Sequence, residues 1–365
     1  MYVQLGGLIK MKPKYIQLAD KLRLEIEEMT YKEGELIPSE NTLQETYGFS
    51  RHTVRQAIGV LVNEGLLRTE KGSGTYVAKK EIAVPARKKT IGVIMTYLSD
   101  YIFPSIIRGI EKELSAQGYA LLLGTTNNNH EKERECLQQM MEQEVDGLII
   151  EPTKSNQYNP NLSYYVDLKE KGIPYLMINA LYEELDVQHI CVDDTQSGYL
   201  ATNHLIEKGH QQLLLVTKID DLQGKYRMKG FIRAIEEAKL QFRPADIVTY
   251  TTETKESVIE ELLVCLTQGN TDITGIVAYN DEIASHLIKG LSEKGLSIPN
   301  DFSIIGNDDS NLRITGNITL TTLSHPKEAM GELAATYILN DIQHEAITNY
   351  YFKPVLIEGQ SVRAL

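Results

Sequence analysis

The stretch SRHTVRQAIGVLVNEGLL, residues 50–67, decides how this chain is read. Val54, Ala57, Ile58 and Leu61 recur at helical spacing and form one apolar stripe. Arg51, His52, Arg55, Gln56 and Gly59 fall outside it, and no acidic residue precedes Glu64. Ser50 is placed to cap this helix. Just upstream, PSENTLQETYG (38–48) offers Ser39 as a second cap, a short helix carrying Leu43 and Tyr47, and a turn at Gly48-Phe49. Two short helices joined by a glycine turn, the second with cations facing outward, predict a helix-turn-helix. Downstream, LLRTEKGSGTYVAKK (66–80) reads as two strands about a Gly72-Ser73-Gly74 tip, a wing.

A cationic helix sits oddly in a chain of 365 residues with formal net charge −13, until the charge is divided. Residues 1–89 carry 15 Lys+Arg against 11 Asp+Glu, net +4, and the remainder carries 22 against 39, net −17. A basic head on an acidic body fits a head that meets phosphate and a body that does not. A length of 365 exceeds one ordinary core, so two or three packed units are expected. No apolar run is long enough to span a bilayer and the start has no leader-like pattern, so a cytoplasmic location is expected, with Met11 as a possible natural start. Cys136, Cys191 and Cys265 are far apart, lack metal or redox spacing, and are expected to be buried thiols.

A helix of this kind enters the major groove, where an arginine pairs with the O6/N7 edge of guanine, worth about 1–3 kcal/mol per good contact. Gly59 has no side chain to hold the helix away from a groove. The wing's glycines do not make a nucleotide loop, because Val77 stands where a third glycine is required. Across residues 13–78, PKYIQLADKLRLEI, GELIPSENTLQETYGFSRHTVRQAI and LVNEGLL followed by GSGTYV resemble the winged-helix head of GntR-family transcription regulators. The resemblance implies double-stranded operator DNA as partner. Ser50, Arg51, His52, Thr53 and Arg55 would approach bases or phosphates, Ser39 and Glu40 would lie at the neighbouring helix start, and Lys14, Lys71 and Gly72 would add contacts. The expected boundaries are 11–79 for the head, 80–89 for a linker and 90–365 for the body.

In the body, apolar runs such as IGVIMTY (91–97), YALLLGTT (119–126), GLIIEP (147–152) and YLMIN (175–179) alternate with helical segments. HICVDD (189–194), LLLVTK (213–218), DIVTYTT (246–252), GIVAYN (275–280) and FSIIGND (302–308) then repeat the alternation as a second series. Apolar strands alternating with helices predict an α/β architecture, two lobes of parallel sheet flanked by helices, with ligand beyond the strand C-terminal ends. Asp100, Tyr101, Phe103, Glu151, Asn179, Asn280 with Asp281, and Asp308 with Asp309 stand there, while Arg227 is expected to open a helix. Asp281 and Asp309 are read as helix caps. An aromatic plate among Asp, Asn and Arg suits a small polyol: the ring faces C–H groups and bidentate side chains take neighbouring hydroxyls.

This half resembles the effector domain of the LacI/GalR family and periplasmic sugar-binding proteins. The text that carries it includes DYIFPSIIRGIE, DGLIIEP, DDTQSGYLATNHLIEKGH, RMKGF, AYNDEIA and DFSIIGNDD. The resemblance implies Phe103, Asn179, Arg227, Asn280 and Asp308 as effector contacts, with Tyr101, Glu151 and His325 as further candidates. Two departures stand out: Asn307 occupies a place where that family often has Tyr, and its hinge helix is replaced by a charged linker. A GntR head on a LacI/GalR body is similar to the L-arabinose-responsive repressors of Gram-positive bacteria. That implies a homodimeric repressor released from its operator by L-arabinose, with another sugar or a purine as the alternative effector.

Catalysis needs a nucleophile, a base and an orienting group in one place. No G-x-S-x-G, H-E-x-x-H or P-loop pattern occurs, and His189, His204 and His210 are too spread for zinc. The chain is therefore expected to be neither an enzyme nor a metalloprotein, and to need no cofactor beyond its effector.

Overall fold

The apolar stripe of residues 54–61 is the floor of a small helical core. Helices α1 (Lys14–Glu27), α2 (Glu40–Tyr47) and α3 (Arg51–Asn63) precede an antiparallel pair, β1 (Leu67–Glu70) and β2 (Gly74–Val77). Val54, Ala57, Ile58 and Leu61 pack on Leu18 and Leu22 of α1, Leu43 of α2 and Val77 of the wing. Ser39 Oγ accepts from the Thr42 N–H at 3.2 Å and Ser50 Oγ from the Thr53 N–H at 3.3 Å, so each helix starts on its own serine. Gly48, at φ 70°, ends α2 in the left-handed conformation that turns the chain into α3. The structure is a computed structural model that describes residues 12–70, 73–78, 89–98, 101–268 and 271–365. Lys71, Gly72, Asp100 and the expected linker, Lys89 apart, lie outside the described residues.

The chain divides into two units, Met1–Arg87 and Lys88–Leu365. In the second, the expected alternation runs β3 (Thr90–Met95), α4 (Phe103–Ala116), β4 (Ala120–Thr125), α5 (His130–Glu142), β5 (Gly147–Ile150), α6 (Leu162–Glu170), β6 (Tyr175–Ile178) and β7 (His189–Val192). It continues with α7 (Asp194–Glu207), β8 (Leu213–Lys218), α8 (Leu222–Glu237), β9 (Ile247–Tyr250), α9 (Lys255–Thr267), β10 (Gly275–Ala278), α10 (Asp281–Glu293) and β11 (Ser303–Ile305). Four short strands, β12 (Ile314–Thr315), β13 (Ile318–Thr319), β14 (Thr322–Leu323) and, after α11 (Lys327–Ile342) and β15 (Tyr350–Phe352), β16 (Leu356–Ile357), complete it.

Two parallel sheets result, β15-β7-β6-β5-β3-β4 in one lobe and β11-β10-β8-β9 in the other. Each is apolar on both faces because successive side chains point to opposite sides. Ile91, Val93 and Met95 face one cluster and Ile94 the other. In the second lobe Leu214 and Val216 face one side and Leu213 and Leu215 the other.

The structure corrects the expected division of strands. HICVDD does not open the second series; its strand β7 joins the first sheet beside β6, and β15 returns from near the C-terminus to pair with it. The chain therefore crosses between lobes three times, after β7, between β14 and α11, and between β15 and β16. A four-residue strand that is apolar on both faces suits either sheet, so its pattern alone cannot assign it. Cys136 and Cys191 are buried as expected, whereas Cys265 is exposed, on the outer side of α9.

Each lobe contains one helix pair in backbone contact. A Cβ on Gly109 of α4 would lie 2.2 Å from the Glu328 carbonyl of α11, and one on Gly331 would lie 2.1 Å from the Ile106 carbonyl. In the other lobe a Cβ on Gly198 of α7 would lie 2.0 Å from the Arg227 carbonyl of α8. Gly59, on the exposed face of α3, meets nothing within 4 Å. The same substitution should thus have opposite signs: Gly59→Ala is expected to stabilise the head by about 0.5–1 kcal/mol. Gly331→Ala should destabilise the body by about 1–3 kcal/mol, because backbone cannot yield as a side-chain tip can. Urea denaturation of the two variants, followed separately for each unit, checks both signs.

Candidate functional site

In the head, the exposed side of α3 presents Arg51, His52, Arg55 and Gln56, with Lys14 exposed at the start of α1. Glu40, the first residue of α2, reaches both arginines: Oε2 lies 3.0 Å from Arg51 Nε and Oε1 lies 2.9 Å from Arg55 Nε. These pairs hold the carboxyl below the usual range, Arg55 foremost. One carboxylate at the start of α2 thus holds both guanidiniums of α3. Ser39 and Ser50 act as helix caps, which leaves Thr53 half-buried in the first turn of α3.

In the body, a cavity of about 550 Å³ lies between the lobes, beyond the C-terminal ends of the strands. All eight residues expected there line it: Tyr101, Phe103, Glu151, Asn179, Arg227, Asn280, Asp308 and His325. Tyr101, Phe103, Glu151 and Asn179 come from the first lobe, while Arg227, Asn280 and Asp308 come from the second. His325 sits on one of the segments that join them.

Arg227 anchors the second-lobe wall. It is 7% exposed. Nε donates to Asp194 Oδ1 at 2.8 Å, Nη1 to the Tyr279 carbonyl at 2.6 Å and Nη2 to Asp308 Oδ1 at 3.3 Å. Its guanidinium also lies over the Tyr279 ring, 5.0 Å from the centroid. Burial disfavours the cation, but the charges of Asp194 and Asp308 more than offset it and raise its pKa. Burial pushes Asp194 up to about 6, against the pull of Arg227. Asp308 is held below the carboxylate range by Arg227, despite burial. Asp308 also accepts the Tyr101 hydroxyl at 2.6 Å and the Asn307 amide, so a first-lobe tyrosine reaches across to a second-lobe acid. Asn307 Oδ1 accepts from Ser197 Oγ at 2.6 Å. The hydroxyl at this wall thus comes from Tyr101, while Asn307 is turned into the fold.

A relay runs from the first-lobe wall to His325. Glu151 accepts from the Thr96 N–H at 2.9 Å and from Asn179 Nδ2 at 2.7 Å, and Asn179 Oδ1 faces His325 Nε2 at 3.1 Å. Since the amide gives its N–H to Glu151, His325 Nε2 must carry the proton, leaving Nδ1 as an acceptor. Nδ1 is buried with no hydrogen-bond partner among the described residues. Burial pushes the imidazole's pKa down to about 4, so it is neutral. Phe103, tilted against Tyr97 with centroids 5.6 Å apart, supplies the aromatic plate.

Backbone strain gathers here. Of eleven described non-glycine residues with positive φ, five line the cavity: Tyr101, Asn127, Asn128, Asn179 and Asp308. Such conformations persist where the surroundings over-determine them and cluster at ligand sites.

Three expectations change. Arg227 does not open a helix; α8 begins at Leu222, whose N–H is taken by Ser155 Oγ of the first lobe at 2.9 Å. Asp281 is no cap: Asn280 Oδ1 caps α10 by accepting from Ile283 N at 3.0 Å, and Asp281 accepts instead from Ser310 N and Thr322 Oγ1. Asp309 pairs with Arg313 at 3.5 Å and caps nothing. Capping requires the side chain to fold back on its own turn; Asp281 is drawn instead to Ser310 and Thr322, and Asp309 to Arg313 four residues on. Lys218, Asp221, Gln223, Thr252, Lys255 and Tyr279 also line the cavity and were missed. Lys218, Asp221 and Thr252 follow strand ends, so the rule that found Glu151 would have found them. Among the described residues no cluster of His, Cys, Asp or Glu could hold a metal, and no helix is long and apolar enough to cross a membrane.

Comparison with known proteins agrees with both halves. Residues 14–77 match the family model of the bacterial regulatory proteins of the gntR family, and residues 88–352 match that of periplasmic binding proteins and the sugar binding domain of the LacI family. The chain is 45% identical to the arabinose metabolism transcriptional repressor of Halalkalibacterium halodurans, over 92% of this chain and 91% of that protein. It is 40% identical to the arabinose metabolism transcriptional repressor of Geobacillus stearothermophilus, over 98% of this chain and 99% of that one. The LacI family regulator of Enterococcus faecium, solved with bound ribose, superposes with a TM-score of 0.64 at 27% identity, over 76% of this chain and 100% of that one. The chain belongs to the family of these sugar-responsive transcriptional repressors, in which a GntR-type winged helix precedes a LacI-type sugar-binding domain.

Proposed function

We propose that the effector is L-arabinose, held between the lobes by Arg227, Asn280 and Asp308 on one side and by Glu151, Asn179 and His325 on the other. One observation carries the reading: the buried Arg227 with its two carboxylates, the Glu151–Asn179–His325 chain of hydrogen bonds and the Phe103 ring all line one cavity between the lobes. A polyol offers each hydroxyl as donor and acceptor together, which suits guanidinium, carboxylate and amide groups lining one cavity. The two close relatives are repressors of arabinose metabolism, which supports the pentose. Two heads of a homodimer then read a pseudo-palindromic operator. Sugar binding favours the state that holds DNA less well, with a coupling of about 1–3 kcal/mol, or 5–150-fold.

Calorimetry against pentoses, hexoses and purines tests the effector. L-Arabinose is expected to bind, and Arg227→Ala to abolish binding while circular dichroism shows a folded chain. Tight binding of a purine alone removes arabinose. In a mobility-shift assay, a promoter fragment held equally well at saturating arabinose removes release as the mechanism. Arg55→Ala is expected to weaken operator binding by about 1–3 kcal/mol at fixed salt and to leave sugar affinity intact. Operator affinity equal to that of the unaltered protein overturns the assignment of Arg55.

The acceptor role of His325 is checkable without ligand. Its folded pKa is depressed from 6.5 to about 4. The stability linked to the neutral ring is therefore complete above about pH 6.5 and is lost as pH falls towards 4. Urea denaturation at pH 7 and pH 5 is expected to show a smaller acid loss in His325→Gln than in the unaltered protein.

A further inference from the structure

Outside the cavity, two groups of charged side chains span the lobes. Glu183, between β6 and β7 of the first lobe, takes the Lys225 ammonium on Oε2 at 2.7 Å and the Tyr226 hydroxyl on Oε1 at 2.6 Å. Both partners stand on α8, which packs on α7 and β8 of the second lobe. Lys154, just past β5 of the first lobe, pairs with Glu253, just past β9 of the second. None of these five residues lines the cavity, and none belongs to the three segments that join the lobes. These contacts therefore exist only while the lobes are together.

The geometry ties this clasp to the ligand site. Lys225 and Tyr226 immediately precede Arg227 on one helix, and the N–H of Leu222 that starts that helix is held by Ser155 of the first lobe. When the lobes part, α8 loses Glu183 and Ser155 together, and Arg227 recedes from the first-lobe wall. The Lys225–Glu183 pair is solvent-facing, with side-chain exposures of 44% and 48%, and in the second pair Glu253 is 60% exposed while Lys154 is 16% exposed. Dissolved salt therefore screens them, whereas the buried cluster about Arg227 is screened much less.

We propose that Lys154–Glu253 and Glu183–Lys225/Tyr226 form an ionic latch that sets how strongly the effector is bound without touching it. An uncharged sugar then acquires a salt-dependent affinity. The apparent affinity of a ligand falls with the fraction of protein in the competent state, and salt lowers that fraction by weakening the latch. This rests on the reading that sugar binds between the lobes.

The experiment is calorimetry of L-arabinose binding to the full chain at about 10 mM and about 1 M sodium chloride, where the screening length falls from about 30 Å to about 3 Å. One solvent-facing pair and one half-exposed pair predict a roughly 2- to 30-fold weaker affinity at high salt. Glu183→Gln combined with Glu253→Gln is expected to bind more weakly at low salt and to lose most of the salt dependence. These acids are at the surface, so the variant should fold. The charge exchange Glu183→Lys with Lys225→Glu should recover part of what each single reversal loses. A salt-independent affinity in the unaltered protein, or an undiminished salt slope in the doubly neutralised variant, overturns the latch while leaving the effector assignment standing. Failure of arabinose to bind at either salt concentration removes the effector assignment and the latch together.

Discussion

A buried guanidinium is expensive unless every hydrogen-bonding direction is answered, and Arg227 is answered from three directions. Asp194 comes from the crossover after β7, Tyr279 from the end of β10 and Asp308 from the segment after β11. Such an arrangement is weak evidence for stability in itself, since desolvation consumes much of the Coulomb gain. Its consequence is positional. Removing either carboxylate leaves a buried charge unbalanced, so segments far apart in sequence are tied to one point, and that point is the wall of the cavity.

The helix pairs set the scale of the structure around it. In each lobe two glycine-bearing helices meet backbone to backbone, α4 on α11 and α7 on α8. The second contact bears directly on the site, because Gly198 rests against the carbonyl of Arg227 itself. A helix that cannot retreat from its neighbour and whose first N–H is held by the other lobe moves as a unit with the lobes. The left-handed residues Tyr101, Asn179 and Asp308 belong to the same economy, their strain held by hydrogen bonds that converge on the cavity.

Much of this was legible in the chain. The caps Ser39 and Ser50, the stripe Val54–Leu61 and the wing are local, and each emerged where spacing placed it. The eight cavity residues were legible because parallel sheets carry their ligands past strand C-terminal ends, and only a few polar side chains stand there. Lys218 and Thr252 close the runs LLLVTK and DIVTYTT, so the same rule reaches them. Asp281 was misread because a local role was available to it and the distant Ser310 and Thr322 took precedence, while the cap expected of Asp309 is made by its neighbour Ser310.

Local matters were written into the chain: which segments are helix and which strand, that a cationic helix fronts the head, and that polar residues gather at strand ends. These follow from contacts within a few residues, which spacing encodes. Long-range packing settled that β7 and β15 complete the first sheet, that Asn280 and not Asp281 caps α10, and that α8 starts on a serine of the other lobe. It also decided that Glu40 orients two arginines and that His325 keeps a bare acceptor. Each of these depends on a partner tens to hundreds of residues away, and distance along the chain says nothing about distance in space.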